Sequence, residues 1–108
     1  MAETVGEFEH LILLAILQLG REAHAARVRE KIETEAERRV TRGALYVTLD
    51  RLTAKRLVEW EVQATTSARG GIPRRCFRVT AAGLEALRRS HAAVRTLSRG
   101  LERLLGEA

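Results

Sequence analysis

Three arginines cluster at the start of an amphipathic segment, where their chemistry favours binding of an anion. Arg38, Arg39 and Arg42 flank Thr41, whose hydroxyl can accept a hydrogen bond from a backbone N–H of the first helical turn. Unpaired N–H groups and the helix dipole make that end positive, and guanidinium groups add full charges beside it. The pattern predicts a phosphate-binding helix start, with a solvated helix carrying a basic end as the alternative.

The segment 41–58, TRGALYVTLDRLTAKRLV, is predicted to be a helix that runs into a strand. Leu45, Leu49 and Leu52 recur on one helical face. The opposite face combines a glycine, an aromatic ring and a β-branched side chain with few charges: Gly43, Tyr46, Val47, Asp50, Arg51 and Ala54. Such a face is suited to a close approach to another molecule.

The positive charge is concentrated in two stretches. Residues 38–56 hold six basic residues and one acidic one, residues 69–78 hold four basic residues and no acidic one, and the whole chain carries +5. A basic helix near a basic loop predicts a polyanionic partner, most commonly nucleic acid. Arginine enrichment from a GC-rich genome explains the number of arginines better than their clustering.

Composition places the chain among one-domain globular proteins. It has 108 residues, 45% of them hydrophobic and 31% charged, and a single cysteine that allows no intrachain disulfide. The longest apolar run, residues 11–17, is too short to span a bilayer, and the first nine residues are acidic where a signal peptide is basic. We therefore expect a cytoplasmic protein without a membrane partner.

Catalytic and metal chemistry are not expected. His10, His24, His91 and Cys76 fall on different predicted elements, without metal-ligand spacing, a nucleophile elbow or a phosphate loop. We predict no enzymatic activity, no metal and no cofactor. Cys76 is interpreted as an inert strand residue, with a redox switch near the wing as the alternative.

The order of predicted elements is typical of a winged helix. A helix at 7–19, apolar on nearly its whole circumference, ends at Gly20, and a thinner amphipathic helix follows at about 23–37. After the basic helix, alternation predicts two strands, 58–62 and 74–80, joined by a glycine-rich basic loop. Trp60 is interpreted as a packed sheet residue rather than a stacking platform. Helix, turn and second helix form the arrangement that inserts into the major groove.

The last segment predicts dimerisation. Thr80 is expected to cap one helix of about 25 residues, from 81 to 105, roughly 38 Å long and therefore longer than this domain can cover. Apolar residues recur along it in steps of three and four, and His91 is interpreted as a polar register-setting position rather than a sensor or ligand. Together with the first helix, this seam gives the predicted dimer contacts: Phe8, Leu11, Ile12, Leu84, Leu87, His91, Val94, Leu97, Leu101, Leu104 and Leu105.

These segments resemble the PadR family of bacterial transcriptional regulators over about residues 7–90. EHLILLAILQLG resembles its first helix, RGALYVTLDRLTAKRLVEW its recognition helix and next strand, and GGIPRRCFRVTAAGLEAL its wing and final-helix start. The resemblance implies a winged-helix homodimer of the short subfamily that represses transcription. It also implies that Thr41, Gly43, Tyr46 and Thr48 face DNA and that Gly71, Pro73 and Arg74 belong to the wing.

The chain departs from the family pattern at Val47, where proline is usual, and at Cys76, where an aromatic residue is usual. In some short members a tryptophan on the final helix stacks on flat ligands at the dimer centre, but the only tryptophan here is Trp60. A small-molecule effector of unknown identity is a further possible partner.

The resulting expectation is a mainly α (α+β) fold: a winged helix-turn-helix with a two-stranded wing (domain 1–80) and a continuous C-terminal dimerisation helix (81–108). Helix 41–56 would enter the major groove of a pseudopalindromic operator, and the wing, 65–75, would contact the backbone or minor groove. The alternative is a winged-helix module that binds proteins. The predicted DNA contacts are Arg39, Thr41, Arg42, Gly43, Tyr46, Val47, Thr48, Arg51, Lys55, Arg69, Gly70, Gly71, Pro73, Arg74 and Arg75.

Overall fold

Three helices, a hairpin, a fourth helix and a final helical turn follow one another in the computed structural model, which describes residues 4–63 and 73–106. The predicted winged-helix arrangement, mainly helical with a two-stranded antiparallel sheet, is confirmed. None of the described helices is long and apolar enough to cross a membrane. The elements are α1 (Glu7–Leu19), a 3-10 turn (Gly20–Glu22), α2 (Ala25–Glu35), α3 (Arg42–Ala54), β1 (Val58–Gln63), β2 (Arg74–Val79), α4 (Ala81–Ser98) and α5 (Glu102–Leu105).

One hydrophobic core joins α1, α2 and α3 to the base of the hairpin. Leu45, Leu49 and Leu52 are buried, as their spacing on α3 predicted. They pack in the same cluster as two residues predicted to contact a partner chain, Ile12 of α1 and Leu87 of α4. The structure places these two side chains inside the single chain, because α1 and α4 each turn one face toward the core.

The hairpin is antiparallel, with Val58 opposite Val79 at its base and Gln63 opposite Arg74 at its far end. The backbone N–H of Phe77 also donates to the carbonyl of Ala23 at 2.9 Å, which anchors β2 to the segment before α2. Of the β1 residues predicted to share a packed face, only Val58 is buried; Trp60, which was expected to pack in the sheet, is 39% exposed, and Val62 is exposed as well. The strand therefore extends beyond the core that supports its base.

Several predicted helix ends are confirmed. Gly20 caps α1 with a φ of 56°, a conformation that glycine adopts without steric cost. Thr80 caps α4 by accepting a hydrogen bond from the N–H of Gly83 at 3.0 Å. α2 begins two residues later than predicted because the 3-10 turn occupies Gly20–Glu22.

The prediction of one continuous helix from 81 to 105 is wrong. α4 ends at Ser98, Arg99 is extended with a ψ of 128°, and Gly100 has a φ of 86° before α5 begins. A helix of 18 residues is roughly 27 Å long instead of 38 Å. The predicted leucine seam is therefore divided between α4 and α5, with a non-helical break at Arg99 and Gly100.

Candidate nucleic-acid interface

The N-terminus of α3 has the predicted cap and two outward arginines. Thr41 Oγ1 accepts a hydrogen bond from the N–H of Ala44 at 3.1 Å. Arg39 and Arg42 are exposed beside it. The third arginine of the cluster, Arg38, is engaged elsewhere, by residues of α1. Two guanidinium groups, rather than three, therefore remain at this helix start for an anion.

The outward face of α3 is uncovered by the rest of the described chain. Tyr46 is 49% exposed and Val47 57% exposed. A Cβ atom built on Gly43 would meet no heavy atom within 4 Å outside its own helix backbone and chain neighbours. Packing among the described residues therefore does not require a glycine at position 43, and the absence of a side chain there leaves the surface of α3 flat.

Thr48 does not share this face. Its side chain is buried, and its hydroxyl donates to the carbonyl of Ala44 at 2.7 Å. Position 48 lies three residues after Leu45 and four before Leu52, which places it beside the core-facing stripe. The residue that the family resemblance assigned to DNA thus lies against the domain interior.

The two basic residues at the other end of α3 differ from each other. Arg51 is exposed. Lys55 places its ammonium nitrogen 3.1 Å from Glu9 Oε2, an ion pair between residues 46 positions apart. Sequence reasoning assigned Lys55 to a phosphate and did not foresee its partner on α1.

Two arginines of the described part of the wing, Arg74 and Arg75, differ in their surroundings. The guanidinium carbon of Arg75 lies 4.0 Å from the ring centroid of Trp60, a cation–π contact across the hairpin. Arg74 is half-buried and Pro73 is exposed. The predicted wing-tip residues Arg69, Gly70 and Gly71 lie outside the described residues.

A groove of about 460 Å³ runs between the far end of the hairpin, the start of α2 and the outward face of α3. Tyr46, Arg74 and Arg75 line it together with Arg27, an exposed residue that sequence reasoning did not select. The sequence feature that could have identified Arg27 is its position in the first turn of α2, the helix that precedes α3. Its charge joins the basic surface formed by α3 and the wing.

A second surface is apolar. Leu97 is 80% exposed and Leu104 is 84% exposed, and the other predicted contacts in this region, Val94, Leu101 and Leu105, are also exposed. On α1, Leu14 and Leu17 are exposed, although neither was among the predicted contacts. Phe8, Leu11 and Leu84 are partly buried. Exposed apolar side chains therefore lie both on α1 and on the segment 94–105.

The histidines and the cysteine lie on several elements of the described chain. Among residues 4–63 and 73–106, no group of three or more His, Cys, Asp or Glu residues is placed to hold a metal. His10 and His91 stack across α1 and α4 with ring centroids 6.1 Å apart, and burial, followed by the charge of His91, lowers the pKa of His10. Cys76 is buried, with its thiol 3.5 Å from the carbonyl oxygen of Arg21.

Comparison with solved structures finds the same architecture in bacterial regulators. A PadR-like transcription factor from Bacteroides fragilis is 28% identical, with a TM-score of 0.68 over 90% of this chain and 88% of that one. A PadR-like transcriptional regulator from Bacillus cereus is 25% identical, with a TM-score of 0.75 over 94% and 93%. A PadR family transcriptional regulator from Eggerthella lenta is 27% identical, with a TM-score of 0.66 over 92% and 86%.

The sequence itself matches a family profile over most of its length. No curated protein matches the chain, but residues 13–89 match the profile of the transcriptional regulator PadR-like family. The family and the three solved relatives are transcriptional regulators rather than enzymes. The chain therefore belongs to the PadR-like family of transcriptional regulators.

Proposed function

We propose that this transcriptional regulator is a cytoplasmic homodimeric repressor that binds a pseudopalindromic operator. α3 enters the major groove, and the wing contacts the neighbouring backbone or minor groove. The observation that carries the proposal is the uncovered face of α3, where Gly43, Tyr46 and Val47 stand exposed beside a capped, arginine-bearing helix start. Because few long charged side chains stand on this face, the backbone and side chains of α3 can come close to base edges.

Phosphate contacts come from the surrounding basic residues. Arg39 and Arg42 lie at the N-terminus of α3, where the helix dipole also favours an anion. Arg27 and Arg74 line the groove on the wing side. Contacts of this type fix the position of the protein on the duplex, while the side chains facing base edges read the sequence.

Homodimerisation is supported by the apolar surface at the end of the chain. Exposed leucines on α4 and α5 lose contact with water when they pack against another subunit, and each buried side chain of this type contributes about 1.5–3 kcal/mol. A two-fold axis would place two α3 helices on half-sites about one turn, roughly 34 Å, apart. The same leucines also fit the second candidate function, a winged-helix module that binds a different protein.

Fluorescence anisotropy tests the proposal with a duplex from upstream of the protein's own gene, beside a shuffled duplex, at two salt concentrations. We expect salt-sensitive binding that prefers the native duplex. Equal binding to both duplexes would contradict operator recognition at this site, and no binding at low salt would favour the protein-interaction module. A reporter gene under the same upstream sequence separates repression from activation.

Two variants with matched controls locate the contact surface. Tyr46→Ala should weaken operator binding by roughly tenfold or more while leaving the oligomeric state intact, since its side chain is exposed. Tyr46→Phe isolates the contribution of the hydroxyl group.

Arg74→Ala should weaken binding to both duplexes and reduce the salt slope by about one. Arg88→Ala, which removes an exposed arginine from α4, serves as the control and should change neither.

A further inference from the structure

Two ion pairs connect the first turn of α1 to residues on either side of α3, one in the segment before it and one at its C-cap. Lys55, the residue that caps the C-terminus of α3, lies 3.1 Å from Glu9. Arg38, three residues before the N-cap Thr41, places Nη1 2.6 Å from Glu7 Oε1 and its guanidinium carbon 5.0 Å from the centroid of the Phe8 ring. Neighbouring residues of α1 thus contact the segments that flank α3.

The two pairs differ in their environment. The side chain of Glu7 is 83% exposed, so its pair with Arg38 is a surface ion pair of small energetic value. The side chain of Glu9 is only 10% exposed, and its two oxygens are both used: Oε1 accepts from the N–H of Gly6 at 3.0 Å and Oε2 accepts from Lys55. Removing one partner of such a sheltered pair leaves a charge without its counterpart.

Each member of the sheltered pair is fixed to its own helix. Glu9 lies in the first turn of α1, and its bond to Gly6 caps that helix. The N–H of Lys55 donates to the carbonyl of Arg51 at 3.0 Å, and the next residue, Arg56, turns the chain with a φ of 62°. A contact between two residues held in this way constrains the orientation of one helix relative to the other.

We propose that Glu9 and Lys55 are positioning residues that set the orientation of α3 relative to α1, and thereby the half-site spacing that the dimer accepts. The inference rests on the proposed function, in which a homodimer holds two α3 helices on neighbouring half-sites, and it extends the dimer contact to the exposed residues Leu14 and Leu17 of α1. A change in the angle between the two helices then changes the separation of the two reading helices. Lys55 acts through Glu9 rather than on a phosphate.

The variants Glu9→Gln and Lys55→Met test the pair on operators whose half-site spacing is native, one base pair shorter or one base pair longer. Gln retains an oxygen that can accept from Gly6, so the variant removes the charge and keeps an acceptor for the helix cap. We expect each variant to lose about tenfold of the preference for native spacing, and the double variant to lose little more, since the two residues act as one unit. Lys55→Arg, which can retain the ion pair, should keep the preference, and Arg88→Met serves as the surface control.

Three results would overturn the positioning role. Loss of affinity for all duplexes in Lys55→Met alone, with a salt slope lower by about one, would make Lys55 a phosphate contact. Lower thermal stability with the spacing preference intact in both variants would make the pair merely structural. Loss of the spacing preference in Arg88→Met as well would remove any special role of the pair.

A second measurement, independent of DNA, is the set of backbone residual dipolar couplings of α1 and α3. The proposal requires the orientation of α3 relative to α1 to change in both variants, and an unchanged orientation would overturn it. If the wild-type protein binds no duplex, the proposed function fails, and the couplings still decide whether the pair positions α3.

Discussion

α3 and α4 begin with the same local design and use it differently. Each helix is capped by a threonine that accepts a hydrogen bond from the N–H three residues later, and each has a glycine in its first turn. A Cβ atom on Gly43 of α3 would meet open space, whereas a Cβ atom on Gly83 of α4 would lie 2.0 Å from the carbonyl oxygen of Leu57. The fold requires the second glycine and leaves the first one free.

The contrast separates packing from recognition. Gly83 lets α4 approach the turn between α3 and β1, where the carbonyl of Leu57 also accepts from the N–H of Thr80 at 3.0 Å. Glycine in a helix interior is unfavourable relative to alanine by about 0.5–1 kcal/mol. At Gly83 close packing offsets that penalty, whereas nothing in the described chain offsets it at Gly43, as the proposed close approach of α3 to DNA would require.

Gly83→Ala should have the largest effect. The added methyl group would overlap the backbone of Leu57 and lie 2.9 Å from Val79 Cγ1, neither of which is the end of a long flexible side chain. We expect a loss of about 3 kcal/mol or more in the free energy of unfolding. Urea denaturation followed by circular dichroism measures it, and a loss below about 0.5 kcal/mol would remove the contrast between the two helices.

Gly43→Ala should act in the opposite direction on stability. The methyl group fits open space and raises helix propensity, so we expect a gain of up to about 1 kcal/mol in the free energy of unfolding. Operator affinity should nevertheless fall by about tenfold, because the added Cβ separates α3 from DNA. The same denaturation experiment and anisotropy titration measure the two effects. Unchanged affinity would show that the open space at Gly43 is not occupied by DNA.

Removing the two threonine caps should change the free energy of unfolding by different amounts, and this difference is smaller than that between the two glycine variants. Thr41→Ala removes one hydrogen bond to a helix N–H and should cost about 1 kcal/mol. Thr80→Ala removes the equivalent bond and also the bond that the hydroxyl donates to the carbonyl of Arg56 at 2.7 Å, so we expect about 2 kcal/mol. Serine at each position keeps the hydroxyl and serves as the control. Equal losses would mean that the Arg56 contact adds nothing.

The smallest expected effect is a pH dependence of stability that arises where α4 packs against α1, at the stacked rings of His91 and His10. Burial lowers the pKa of His10, and the charge of the adjacent His91 lowers it further. The unfolded chain therefore binds more protons at pH values just below the ordinary histidine pKa of about 6.5. The stabilising contribution of neutral His10 is present above that pH and is lost as the pH falls toward the lower folded-state pKa.

Unfolding free energies at pH 5 to 8 test this dependence. The wild-type protein should lose stability toward pH 5 more steeply than His10→Gln, which cannot titrate at this position. Parallel profiles for the two proteins would contradict the lowered pKa. The corresponding change in His91→Gln measures the part that comes from the second ring.

Local rules were sufficient for much of the fold. The spacing of Leu45, Leu49 and Leu52 identified the buried face of α3, because helical periodicity alone decides which side chains share a face. Thr41 and Thr80 were recognised as caps because a cap depends on only three or four consecutive residues. The exposed face with Gly43 and Tyr46 followed from the same periodicity.

Contacts between distant residues were beyond those rules. Glu9 and Lys55 each resemble ordinary surface charges, and nothing local indicates that residues 46 positions apart meet. The stacking of Arg75 on Trp60 depends on the register of the hairpin. The break at Gly100 was missed because the leucine spacing continues across it, although periodicity says nothing about whether the backbone remains helical.

The buried thiol of Cys76 makes the hairpin a reporter of its own opening. The thiol lies 3.5 Å from the carbonyl oxygen of Arg21 and is only 8% exposed, so we expect it to react slowly until β2 separates from the 3-10 turn. Alkylation by a small maleimide should therefore proceed at the rate of that separation, or at a rate proportional to its equilibrium population when closing is fast. Because the chain contains a single cysteine, the labelling rate reports on β2 and shows how often this strand separates from the 3-10 turn.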